Sequence, residues 1–91
     1  MSSFRLDGKT AIITGGAGGL GIAMVKQYAE AGANVVVASR NLNNCQKIVD
    51  EVNAEGGNAL ALSVDITASE QVDSMIEETV KEYGALDVIV N

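Results

Sequence analysis

Ninety-one residues, 47% of them hydrophobic and 20% charged with no proline, allow one globular unit at 1–91 and exclude a two-domain enzyme. The formal net charge of −6, without any lysine- or arginine-rich run, argues against a nucleic-acid or anionic-membrane surface. One cysteine and no histidine exclude an internal disulfide and the usual zinc clusters, and no run is long or apolar enough for a membrane span or a secretion signal at Met1–Arg5, so the expected location is cytoplasmic.

Phe4 to Lys9 is a lead-in, with a turn at Gly8. Gly8-Lys9-Thr10 invites a nucleoside-triphosphate reading, which fails because the loop pattern needs a glycine where Ser3 stands and because the tripeptide precedes a strand instead of following one. That strand is Lys9 to Thr14, whose Ala11-Ile12-Ile13 is the short apolar run of a buried parallel strand. Directly after it comes Thr14-Gly15-Gly16-Ala17-Gly18-Gly19-Leu20-Gly21, opening a helix over Leu20 to Ala31.

Strand, glycines and helix in that order read as a phosphate-binding turn. Without a Cβ the backbone can take positive φ and approach a ligand closely, and the first N–H groups of the helix face an anion, here a pyrophosphate. Three spacings overlap in the stretch: Gly16-x-Gly18-x-x-Gly21, Gly15-x-x-Gly18-x-x-Gly21, and Thr14-Gly15-x-x-x-Gly19-x-Gly21. The glycines alone do not choose among them.

Ile22, Val25, Tyr28 and Ala29 recur at helical spacing, and Gly32 is placed to close the helix in the left-handed conformation. Asn34 to Ala38 is the second strand, β-branched and apolar enough to be covered on both faces. Ser39-Arg40-Asn41 follows, with Asn41 as N-cap of a helix whose stripe is Leu42, Cys45, Ile48, Val49 and Val52 and which stops at Gly56-Gly57. Cys45 falls on that stripe and is read as core. A third strand, Ala59 to Val64, ends in Asp65-Ile66. Thr67-x-x-Glu70 has the spacing of a capping box, predicting a helix with Val72, Met75, Ile76, Thr79, Val80 and Tyr83 inward and Gly84 at its end. Asp87 to Val90 is a fourth strand, followed by Asn91.

Strict alternation of strand and helix with right-handed crossovers gives an α/β, doubly wound parallel sheet of order 3-2-1-4, the Rossmann-type arrangement, with two helices on one face and the third on the other. Ligand is expected at the carboxyl ends of the first and fourth strands.

The lead-in Phe4-x-Leu6-x-Gly8-Lys9, the motif Thr14-Gly15-x-x-x-Gly19-x-Gly21, Val64-Asp65 and Asp87-Val88-Ile89-Val90-Asn91 together resemble the classical short-chain dehydrogenases/reductases along nearly the whole chain. The nearest flavour is that of ketoacyl-carrier-protein reductases and gluconate 5-dehydrogenases. The resemblance selects the frame of Gly15, Gly19 and Gly21. It implies that Gly15, Gly18, Gly19, Leu20 and Gly21 form the pyrophosphate turn, that Asp65 and Ile66 meet adenine, and that Asn91 stands beside the nicotinamide ribose. Leu20 replaces the commoner isoleucine of the family.

Cofactor choice is argued from charge. NAD-specific sites usually place an acidic residue at the end of the second strand, where Ser39 stands here. Arg40, next to it, brings a guanidinium fork suited to a 2′-phosphate, so NADP is expected over NAD.

The family's chemistry is hydride transfer at a carbonyl or alcohol, with a tyrosine and a lysine four residues later as acid/base machinery. No Tyr-x-x-x-Lys occurs: Gly32 and Asp87 follow Tyr28 and Tyr83 at that spacing. The expectation is an N-terminal, cofactor-binding part of an oxidoreductase, inactive alone, with no catalytic or metal-binding residue of its own. The alternative is a non-catalytic nucleotide-binding or regulatory module. The fourth strand would be an unpaired sheet edge, so self-association into a homo-oligomer is expected.

Overall fold

The computed structural model describes residues 5–15 and 18–90. Four strands, β1 (Thr10–Thr14), β2 (Asn34–Ser39), β3 (Asn58–Ser63) and β4 (Val88–Val90), alternate with helices α1 (Gly19–Glu30), α2 (Leu42–Ala54) and α3 (Ser69–Tyr83). The sheet is parallel with order β3-β2-β1-β4, as the alternation requires when each crossover is right-handed.

The strand register explains how two cores form from one sheet. Ile12 pairs with Val36 and Ile89, and Val36 with Leu60; this rung faces α3 and packs with Val64, Met75, Val72 and Ile76. The next rung, Ile13 with Val37 and Val90, faces α1 and α2 and packs with Val25, Cys45, Ile48, Val49 and Val52. Val35, Val36, Val37 and Ala38 have no exposed surface because β2 has strands on both edges and helices on both faces. Each such valine contributes roughly 1.5–3 kcal/mol through its burial.

Helices α1 and α2 end alike. After α1, Gly32 takes φ +95°, its N–H donates to the Ala29 carbonyl, and the Ala33 N–H donates to the Tyr28 carbonyl. After α2, Gly56 takes φ +91°, with Gly56 N–H to Asn53 and Gly57 N–H to Val52. These paired bonds satisfy carbonyls that a helix end would otherwise leave open.

Three expectations change. Thr67 does not cap α3: the N-cap is Ala68, which has no side-chain capping bond, while the Thr67 hydroxyl turns back to Asp65. A hydroxyl beside an ionised carboxylate makes the stronger, charge-assisted bond there. Leu42 and Val80, expected inward, are 45% and 41% exposed because each lies at the margin of its helix stripe. The sheet also covers slightly different residues, β3 beginning at Asn58 and ending at Ser63, with Val64 buried just beyond it.

The four strand exits are tied together at the carboxyl edge. Gly15 N–H donates to Ala38 O (2.9 Å), Val64 N–H to Ser39 O (2.8 Å), and the Thr14 hydroxyl to Val90 O (3.1 Å). The loops that follow β1, β2 and β3 therefore leave from one rigid rim.

Candidate functional site

The loop after β1 turns at Gly15, whose φ of +70° is the left-handed region that favours glycine. Gly18 N–H donates to the Gly15 carbonyl at 3.1 Å, closing the turn. Gly16 and Ala17 lie outside the described residues, as does Asn91.

Gly18 is the N-cap of α1, and the first bond of the helix runs from Ile22 N–H to Gly18 O at 2.7 Å. The N–H groups of Gly19, Leu20 and Gly21 thus precede the helical ladder, at the positive end of the macrodipole. No side chain caps this end and no acidic residue lies in the first turn.

Folding alone does not demand glycine at positions 18 and 19. Gly18 has an ordinary φ of −86°, a Cβ there would make normal contact with Gly15 O at 3.6 Å, and a Cβ at Gly19 would meet nothing within 4 Å. What these glycines leave is open space against backbone donors, the shape an approaching phosphate requires. Leu20, the next residue of the helix, is 80% exposed.

The loop after β2 carries Ser39 and Arg40. Ser39 Oγ accepts from Asn41 N–H at 3.1 Å and lies 3.0 Å from Cys45 Sγ, so its hydroxyl shapes the turn into α2. Asn41 caps α2 as expected, its Oδ1 accepting from Asn44 N–H at 3.1 Å. Arg40 projects outward with its side chain 73% exposed, and its Nη2 reaches Asp65 Oδ1 at 3.3 Å.

Asp65, on the loop after β3, is held chiefly by Thr67. Its Oδ1 accepts from the Thr67 hydroxyl at 2.6 Å and from the Thr67 N–H at 2.9 Å, while its own N–H donates to Gln71 Oε1 at 2.8 Å. The Thr67 hydroxyl and then the Thr67 N–H hold the Asp65 carboxyl below the usual carboxylate range against an opposing effect of burial, with the Arg40 charge and contact adding less than either. Ile66 beside it is 57% exposed.

Arg40 and Asp65, predicted as separate contacts, are thus joined to each other. Thr67 and Gln71 escaped the sequence reading. Asp-x-Thr is a local side-chain-to-backbone turn signal, but the capping-box spacing that starts at the same Thr67 conceals it.

Both tyrosines face the core: burial and then the neighbouring Glu82 charge push the Tyr83 phenol above its ordinary pKa, and Tyr28 packs against the cluster under α1 and α2. Among the described residues no cluster of three potential metal ligands occurs and no helix is long and apolar enough to cross a membrane.

A family model described as short chain dehydrogenase matches residues 9–91. The short chain dehydrogenase/reductase dpchG of Colletotrichum higginsianum is 42% identical over 90 residues, spanning 99% of this chain and 34% of that protein. A hydroxysteroid dehydrogenase structure from Escherichia coli superposes with a TM-score of 0.93 at 39% identity, covering 97% of this chain and 37% of the other. Matching structures include a D-mannonate oxidoreductase from Haemophilus influenza with bound NAD (TM-score 0.89, 28% identity, 93% and 30% covered). A metagenomic short-chain oxidoreductase in complex with NADP also matches (TM-score 0.87, 27% identity, 92% and 38% covered). The chain spans about a third of the length of the curated relatives it matches.

Proposed function

This chain belongs to the short chain dehydrogenase family, and from that premise we propose that it is the cofactor-binding portion of an NADP-dependent oxidoreductase acting on a carbonyl or alcohol substrate. Gly15, Gly18, Gly19, Leu20 and Gly21 hold the pyrophosphate, and Asp65 and Ile66 flank adenine. Arg40, with Ser39 in place of an acidic residue, selects the 2′-phosphate. Asn91 meets the nicotinamide ribose. The bound nicotinamide supplies the hydride chemistry; residues 1–91 bind and orient it, and they carry no proton shuttle for the substrate.

The observation that carries the cofactor choice is the exposed Arg40 guanidinium, held at the end of β2 by one long contact and thus rich in unused donors. A 2′-phosphate placed there gains a charge-assisted pair of bonds, whereas the two ribose hydroxyls of NAD find no carboxylate at Ser39. The same loop, with an acidic residue, would favour NAD.

Calorimetric titration with NADP and NAD, at low and moderate salt, tests the proposal. NADP binds more tightly, its advantage shrinks with salt, and Arg40→Ala costs it about 2 kcal/mol while changing NAD little. Equal affinity for both dinucleotides, or an Arg40→Ala variant indifferent to the 2′-phosphate, would contradict the assignment. The ketoacyl-reductase or gluconate-dehydrogenase flavour belongs to the same proposal and is tested by turnover with those two substrate classes in the whole enzyme. Self-association is proposed through the outer edge of β4, where Ile89 is 46% exposed on the α3 face. A clean monomer in sedimentation at micromolar concentration would contradict it.

A further inference from the structure

Two arginine–aspartate pairs in the chain have different geometry. Arg5 grips Asp7 with a fork: Nη2 to Oδ1 at 2.7 Å and Nε to Oδ2 at 3.2 Å. Arg40 touches Asp65 through one atom pair only, Nη2 to Oδ1 at 3.3 Å. The groups are chemically the same, but Arg5 and Asp7 are two residues apart on one exposed segment, whereas Asp65 is half-buried on a separate loop from Arg40 and is held by other donors as well.

Asp7 is free to present both oxygens to its guanidinium. Asp65 is not: Thr67 places two shorter donors, at 2.6 and 2.9 Å, on the same Oδ1 that Arg40 reaches, and Gln71 fixes the backbone N–H of Asp65. The carboxylate is therefore pinned in an orientation that denies Arg40 the parallel two-bond pairing. That pairing is the strong form of the interaction, with N–O distances near 2.7–2.9 Å. The 3.3 Å contact is longer than this range, and it leaves most of the fork of Arg40 exposed.

We propose that Thr67 is a positioning residue for cofactor discrimination: by pinning Asp65 it keeps Arg40 from closing onto a carboxylate and so reserves the guanidinium fork for a 2′-phosphate. The inference rests on the assignment of Arg40 to that phosphate, and it adds a residue that touches neither the phosphate nor Arg40. Without the Thr67 hydroxyl, Asp65 turns as Asp7 does, pairs through both oxygens, and competes with the phosphate for the same donors. NAD has no group that needs Arg40, so the exchange costs it only what Asp65 contributes at adenine, a loss NADP shares and the ratio of the two affinities cancels.

The test is a mutant cycle read as the ratio of NADP to NAD affinity, measured by titration of the full chain. Thr67→Val, which removes the hydroxyl and keeps the shape and the backbone N–H, lowers the ratio by roughly 3- to 10-fold, while Thr67→Ser retains it. In an Arg40→Ala background Thr67→Val leaves the ratio unchanged. An unaltered ratio in Thr67→Val, an equal loss for both dinucleotides, or the same drop without Arg40 would each overturn the inference. If Arg40→Ala by itself leaves the ratio intact, the assignment of Arg40 fails and this inference falls with it. If Arg40→Ala lowers the ratio and Thr67→Val does not, only the role of Thr67 is lost.

Discussion

The two ends of the sheet are built to opposite rules. At the amino end the chain satisfies itself: Leu6 N–H donates to Ala31 O, Arg5 Nη1 to Glu30 O, and the ends of α1 and α2 close on Gly32 and Gly56. Asp87 exchanges bonds with Thr10 in both directions, Thr10 N–H to Asp87 Oδ2 and Asp87 N–H to Thr10 O, each 2.9 Å. At the carboxyl end, α1 and α3 start without a side-chain cap, Leu20 and Ile66 are exposed, and Arg40 is loosely held. Groups left open at one end are available to a ligand, and the closed end supplies the stability that lets them remain open.

The contrast can be broken most forcefully at Gly32. Its φ of +95° makes Gly32→Val costly, about 3 kcal/mol of stability, while the exposed Asp7 carboxylate standing where a Cβ would go has to swing aside and release Arg5; dinucleotide affinity is preserved in the folded fraction. Denaturant unfolding and a titration on the same sample check both halves. Asp87→Ala follows, costing about 2 kcal/mol because the N–H of the buried Thr10 loses its acceptor, again without a change in affinity.

The carboxyl end behaves inversely. Gly19→Ala raises stability by up to about 1 kcal/mol, since alanine is the better helix former and its Cβ meets nothing, yet it weakens NADP about 10-fold by occupying the approach to the backbone N–H groups. A variant that stabilised the chain and bound cofactor normally would show that the open space serves no ligand.

The smallest effect is on pH. Asp7, through Arg5, and Asp65, through Thr67, titrate below the usual carboxylate range, so the stability they contribute is complete above their ordinary pKa and disappears as pH falls through the lowered values. Stability is accordingly flat with respect to these groups from pH 7 to about 5 and declines below about pH 4, modestly because both carboxylates face water. In Thr67→Val, where Arg40 takes both oxygens of Asp65, the acid decline persists, whereas adding Arg40→Ala makes it shallower by the share of Asp65 and leaves that of Asp7.

Most of the fold was legible because each element carries its own period and its own stop. Val35-Val36-Val37 announces a strand buried on both faces, Gly32 and Gly56 mark helix ends, and the alternation of strand and helix leaves one natural strand order. The backbone geometry of the candidate turn was legible for the same reason, since Gly15 takes positive φ and Gly18 and Gly19 leave space. The side-chain part was not. Arg40 and Asp65 lie 25 residues apart, and their pairing depends on the β2–β3 register, which no local pattern encodes. Thr67 was misread because its spacing to Glu70 fits a capping box, although the nearer carboxylate of Asp65 wins its hydroxyl.

The most direct test of the two-ended account is an amide NMR titration of the chain with NADP. The account predicts shifts at Gly15, Gly18 to Gly21, Arg40 and Asp65 to Thr67, with Gly32, Gly56 and Thr10 unmoved. Shifts centred on the amino end, or none at the glycine turn, would contradict it.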